Sequence, residues 1–345
     1  MVGSFGPLPS PGERPFIVEV RRGTQVESRH AVIAAAVDGD GKLVAGWGDV
    51  ASTIFPRSSN KAFQALPLIE TGAADAFSLS HAELAMACAS HGGEERHTDT
   101  VAAWLKRVGL DHTALECGAH WPYHEETARD IARAHAMPTA LNNNCSGKHA
   151  GMVTVARHMG EELKGYVSPE HPVQRRVTAV IEDVCGVKLA PEAFGTDGCS
   201  MPTMALPLNK LAHGFARFIT GTGLGAARAK AAQRLAAAVL AEPFFVAGTG
   251  RFCTAVMQAG RGRFIAKTGA EGVYTAASAE LGIGIALKVL DGTTRAAQTA
   301  LGGLLEHFGL LDEAARDELR PLVEPVLSNW RGLRVGDIGL EPPRY

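Results

Sequence analysis

Ser58 and Lys61 stand three residues apart in Phe55-Pro56-Arg57-Ser58-Ser59-Asn60-Lys61. That spacing puts both side chains on one helical face, a turn apart and within reach of a hydrogen bond. A serine hydroxyl becomes a nucleophile when a base takes its proton, and a lysine serves once burial or a nearby cation keeps its amine neutral. Taken alone, the pair is equally a helix start with a solvated lysine. Far downstream, Lys267-Thr268-Gly269 closes an apolar run over Phe264–Lys267 that reads as a strand. If that strand flanks the serine helix, Lys267 can hold an acidic group or relay a proton, and Gly269 lets a substrate approach the backbone. The N–H groups of Ala270 and of Ser58, at the positive end of its helix, would then form an oxyanion hole.

A second cluster combines sulfur with nitrogen. Asn142-Asn143-Asn144-Cys145-Ser146-Gly147-Lys148-His149 enters a helix at about Gly147, and Asp197-Gly198-Cys199 lies in a stretch without helical periodicity. Two cysteines and one nitrogen donor suit zinc, with a fourth position open to water or substrate. Spacing leaves the nitrogen donor open: His149 is an ordinary ligand, whereas Lys148 must first lose its proton. Buried free thiols are the common alternative.

These residues need elements to hold them. Phe16–Val20, His30–Val37 and Lys42–Gly46 read as a three-strand meander after a Pro- and Gly-rich arm over residues 1–15. Helical periodicity then marks Ser80–Ala89, Asp99–Val108, Glu125–Ala136, Gly147–Met159, Pro172–Val184, Thr203–Ile219 and Ala226–Leu240, with Ala190–Pro202 left as a loop. Strand patterns return at Thr254–Gln258, Phe264–Lys267, Gly272–Thr275 and Gly282–Val289, and Thr294–Phe308 and Leu311–Leu319 read as closing helices. Neither half of such a sheet buries both faces by itself. The expected architecture is therefore α/β (α+β): one antiparallel sheet from residues 16–55 and 242–345, with residues 56–241 inserted as a helical lobe.

A Ser-x-x-Lys helix followed by a Lys-Thr-Gly strand resembles the serine β-lactamase and penicillin-binding class of acyl-transfer enzymes. A closer resemblance rests on Arg57-Ser58-Ser59-Asn60-Lys61, Ala119-His120-Trp121-Pro122, Asn144-Cys145-Ser146-Gly147-Lys148-His149, Asp197-Gly198-Cys199 and Lys267-Thr268-Gly269-Ala270-Glu271-Gly272. As a set these are similar to the Rhizobium etli type L-asparaginases, the asparaginase II or class 3 family, from about Val18 to Ile338. The resemblance implies a β-lactamase-like fold, a homodimer, and hydrolysis of L-asparagine to aspartate and ammonia. It implies two Ser-Lys pairs, Ser58 with Lys61 and Ser90 with Lys267, Ser90 lying in Ala89-Ser90-His91-Gly92-Gly93-Glu94. It also implies zinc on Cys145, Lys148 and Cys199, replacing His149 as the nitrogen ligand. Arg57, His149, Asp197, Cys253 and Ala270 are then candidates for substrate binding.

Composition limits the other classes. Lys plus Arg count 34 against 36 Asp plus Glu, a net charge of -2, so no basic excess marks a nucleic-acid partner. No apolar run approaches the roughly 20 residues of a membrane span, and the first residues lack the pattern of a secretory signal. The expectation is a cytoplasmic enzyme whose six scattered cysteines, Cys88, Cys117, Cys145, Cys185, Cys199 and Cys253, stay reduced. The competing readings are a glutaminase or a β-lactam- or peptide-directed serine hydrolase on the same scaffold, and a non-catalytic amino-acid-binding module.

Overall fold

In the computed structural model, which describes residues 4–342, the β-branched and apolar runs near both ends of the chain meet in one antiparallel sheet. Strands β1 (Phe16–Arg22), β2 (Gln25–Asp38) and β3 (Leu43–Trp47) enter first. Four short strands, β4 (Thr53–Ile54), β5 (Phe194–Thr196), β6 (Pro202–Met204) and β7 (Leu206–Pro207), pair among themselves. The sheet is completed by β8 (Ile265–Thr268), β9 (Val273–Ser278), β10 (Ile283–Val289), β11 (Val326–Ser328) and β12 (Arg334–Leu340). Its order is β11-β12-β1-β2-β10-β9-β8, with β3 also on β2.

The sheet drawn from both chain ends and the helices between them match the expected architecture. The meander does not. With 14 residues, β2 is long enough to pair with β1 through its first half and with β3 through its second. Both lie along one edge, because β10 takes the other. Thr254–Gln258 is part of a helix, Phe252–Ala259, rather than a strand. Its buried residues Phe252, Cys253, Val256, Met257 and Ala259 repeat at helical spacing, a pattern a five-residue window is too short to reveal. The helix expected from Thr203 begins at Leu208, after Pro207, and the loop Ala190–Pro202 carries one arm of the β5–β6 hairpin. Strands β11 and β12 were not anticipated. The N-terminal segment is anchored, with Phe5 buried and the Trp47 indole N–H donating to the Pro9 carbonyl at 2.8 Å; residues 1–3 of the expected arm lie outside the described residues.

Every residue of β9 is buried, so both faces of the sheet centre are covered, here by the helices Leu208–Thr220 and Thr294–His307. Close glycine contacts fix how the site-bearing elements meet. A Cβ on Gly147 would lie 2.3 Å from the Met86 carbonyl oxygen. The start of helix Ser146–Met159 is thus pressed against helix His81–Ala87, which brings Cys145 beside the Ala89–Ser90 backbone. Helix His81–Ala87 is itself fixed at its start by a reciprocal cap between Ser80 and Glu83. Among the described residues no helix is long and apolar enough to cross a membrane.

Candidate active site

Ser90 follows the end of helix His81–Ala87 and is 4% exposed. Its hydroxyl meets two lysines: Lys61 Nζ at 3.0 Å and Lys267 Nζ at 2.8 Å. Lys61, at the start of helix Lys61–Gln64, also donates to the Ala89 carbonyl at 2.5 Å and to Cys145 Sγ at 3.1 Å. These three acceptors match the three N–H bonds of an ammonium. Lys267, on β8, donates in addition to the Thr268 carbonyl at 2.9 Å. Burial, followed by the charge of Lys61, pulls the Lys267 amine down to about 7.

Ser58 is half-buried in the turn Arg57–Asn60. Its hydroxyl makes no hydrogen bond among the described residues, so the expected Ser58–Lys61 contact is absent: the buried acceptors around Ser90 draw the lysine head away. Arg57, just before it, has φ 52°, a left-handed conformation that costs a non-glycine residue about 1–2 kcal/mol. Two hydrogen bonds hold it there, from Arg57 Nε and Nη2 to Asp197 Oδ1 at 3.1 and 2.7 Å. Burial opposes ionisation of Asp197, but the hydrogen bond from Arg57 and the charges of Lys148 and Arg57 outweigh it and keep its carboxyl below the usual range.

The sulfur cluster adjoins this group. Lys148 Nζ donates to Cys199 Sγ at 3.0 Å, and Cys145 Sγ also meets Asn144 Oδ1 at 3.3 Å. Interaction with Cys199, against burial and with help from Lys61 and Lys148, holds Cys145 well below the ordinary thiol range; interaction with Cys145 and burial push Cys199 up. Burial opposes a charged Lys148, but the neighbouring sulfurs raise its amine. Among the described residues no three His, Cys, Asp or Glu side chains converge as a metal site. A metal here requires the Lys148 amine, and two thiolates with that nitrogen, once it has lost its proton, would be a donor set zinc accepts. His149 points elsewhere: its Nδ1 meets the Tyr166 hydroxyl at 2.6 Å in full burial.

The Lys-Thr-Gly strand end does flank the serine turn, though for a different reason than substrate access. A Cβ on Gly269 would stand 2.4 Å from the Pro56 carbonyl oxygen and 3.3 Å from Ser59 N, so the glycine admits the turn's own backbone. Ala270 is exposed, and its N–H donates to nothing among the described residues. Cys253 accepts from Thr268 N at 3.3 Å. The sequence reading missed two features. Lys61 joins the serine group to the sulfur group. Glu94 clamps a second loop, accepting from Thr249 N and Oγ1 at 2.8 and 2.7 Å. Positions 61, 90, 145, 249 and 267 are too distant in sequence for spacing to reveal such contacts; only the glycines around Thr249 hinted at a tight approach.

A family model described as L-asparaginase II matches residues 18–340. The chain belongs to the L-asparaginase II family. No curated protein sequence matches the chain significantly. Among solved structures, the protein Mglu is 15% identical over 81% of this chain with a TM-score of 0.38, and the chain spans 62% of Mglu's length. A putative β-lactamase from Bacteroides dorei shows 12% identity over 81% of this chain and 86% of its own, TM-score 0.37. A mutant simvastatin synthase from Aspergillus terreus shows 11% over 84% of this chain and 90% of its own, TM-score 0.37.

Proposed function

We propose that this L-asparaginase II family member hydrolyses L-asparagine to L-aspartate and ammonia, with Ser58 as nucleophile. The observation that carries the reading is the Ser90 hydroxyl bridging Lys61 and Lys267. A proton passed from Lys61 to Ser90, as Ser90 passes its own to Lys267, leaves Lys61 neutral and able to take the Ser58 proton. Ser58 Oγ then bonds to the side-chain amide carbon, the C–N bond breaks, and nitrogen leaves as ammonia with the proton returned by the lysine. Water, deprotonated by the same relay, hydrolyses the ester to aspartate. The unused N–H of Ala270 is available to the developing oxyanion, together with that of Ser58.

Ser90 holds the better proton contacts, but at 4% exposure it is poorly reached by substrate, whereas Ser58 is half-buried with a free hydroxyl. Ser90 is therefore the relay. Zinc, held by Cys145, Lys148 and Cys199, would act as a Lewis acid that orients the amino-acid head group. The finer likeness to the Rhizobium etli type, including a homodimer, rests on the motifs, and the cytoplasmic address on the sparse cysteines and the N-terminal sequence. Ammonia release from asparagine and glutamine, assayed beside turnover of a chromogenic β-lactam, tests the reading: asparagine is the expected preferred substrate, and turnover of the β-lactam alone would reverse it.

A further inference from the structure

Arg251 has no role in the scheme above. It precedes helix Phe252–Ala259, whose Cys253 touches the Lys-Thr-Gly strand through Thr268 N at 3.3 Å. The loop before it turns on two left-handed glycines, Gly248 with φ 107° and Gly250 with φ 69°. Glu94, four residues beyond Ser90, fastens that loop through both Thr249 contacts. The Arg251 guanidinium carbon lies 5.5 Å from the centroid of the Tyr123 ring, and the residue after that tyrosine, His124, donates its backbone N–H to the Gly92 carbonyl at 3.0 Å. Three segments of the site thus meet the backbone that carries this half-buried cation or the cation itself: the Ser90 loop through Thr249, the end of the Lys-Thr-Gly strand through Cys253, and the Tyr123 loop through the guanidinium.

That cation lacks an anion. Among the described residues Arg251 forms no ion pair and no side-chain hydrogen bond, and Glu94, the carboxylate of its own loop contact, is committed to Thr249. Arg57, the other arginine of the site, already spends two N–H groups on Asp197. The positive field of Arg251 also reaches inward, being one of the influences that lower the Lys267 amine. A planar guanidinium, pre-positioned over an aromatic ring, is suited to receive a carboxylate through two parallel hydrogen bonds.

We infer that Arg251 receives the α-carboxylate of the amino-acid substrate, leaving Arg57 and Asp197 to shape the serine turn. This rests on the amidohydrolase reading for the identity of the substrate, but its test needs no turnover. L-aspartate and L-isoasparagine share a skeleton and differ in that the second has an amide in place of the α-carboxylate. Calorimetric binding of each to the full chain and to its Arg251→Gln and Arg251→Lys variants separates the α-carboxylate from the rest of the ligand. In Arg251→Gln the affinity for aspartate should fall roughly 10- to 100-fold, the range of a charge-assisted hydrogen bond, while isoasparagine changes less than about threefold. Arg251→Lys should lie between, and the KM for asparagine should rise in step with a smaller change in kcat. If Arg251→Gln does not fold, the lysine variant carries the same comparison. Unchanged aspartate affinity in a folded variant, or equal loss for both ligands, would overturn the assignment, as would failure of the unaltered chain to bind aspartate. Aspartate binding that depends on Arg251, in a chain releasing no ammonia from asparagine, would instead overturn the hydrolase reading and keep this one.

Discussion

Lys61 and Lys267 share one hydroxyl, and burial together with the neighbouring charge of Lys61 favours the neutral form of Lys267. Burial and the Lys61 charge put the Lys267 amine at about 7. Below that pH Lys267 is charged and the relay has no proton acceptor; above it Lys267 is neutral. The kcat/KM for asparagine should therefore rise as pH increases through about 7, and Lys267→Met should remove this limb while costing at least about 10²-fold at its best pH. Ser90→Ala disconnects the two lysines and should cost a similar factor, read as kcat at saturating asparagine. Among the described residues the Ser58 hydroxyl has no hydrogen bond to lose, and it lies near a helix start, so Ser58→Ala should cost at most about 1 kcal/mol in stability. A thermal melt checks this against the far larger loss of turnover.

Elements hold these residues through close backbone approaches. Gly269→Ala would drive β8 from the serine turn, since its Cβ would fall 2.4 Å from the Pro56 carbonyl oxygen. The expected result is about 1–3 kcal/mol of lost stability by denaturant titration, with kcat falling by more than tenfold. Much of this framework was legible in the sequence. Helical periodicity marked Glu125–Arg133, Ser146–Met159 and Pro172–Cys185 to within a few residues, because amphipathic and capped helices carry local signals. Strand β11, three residues long, has no periodicity to read, and β12 contains two glycines and an aspartate that conceal its alternation. At the site, residue types and neighbours in sequence pointed to Ser58, Lys61 and Lys267. The partner of Lys61 could not be read, because the Ala89 carbonyl, Ser90 hydroxyl and Cys145 thiol that claim its protons meet it only after folding.

Across the whole molecule, β8 comes from the C-terminal half of the sheet, whereas Ser58, Ser90, Cys145 and Cys199 come from the segment between the two halves. Lys61 touches both Ser90 and Cys145, so a zinc held at Cys145 would adjoin the proposed proton relay. Purified protein should carry about one zinc per chain, and Cys145→Ser or Cys199→Ser should remove it, measured by elemental analysis, while mainly raising KM. Ser58→Ala should keep the metal. In the proposed reaction Ser58 attacks the asparagine side-chain amide with its proton taken through the Lys61–Ser90–Lys267 relay. The most direct measurement is the mass of tryptic peptides after rapid acid quench of the enzyme turning over L-asparagine, with ammonia release followed in parallel. Ammonia release and an aspartyl ester on the peptide containing Ser58, both lost in Ser58→Ala, are expected; an ester on Ser90, or ammonia release undiminished by Ser58→Ala, would rule out Ser58 as the nucleophile.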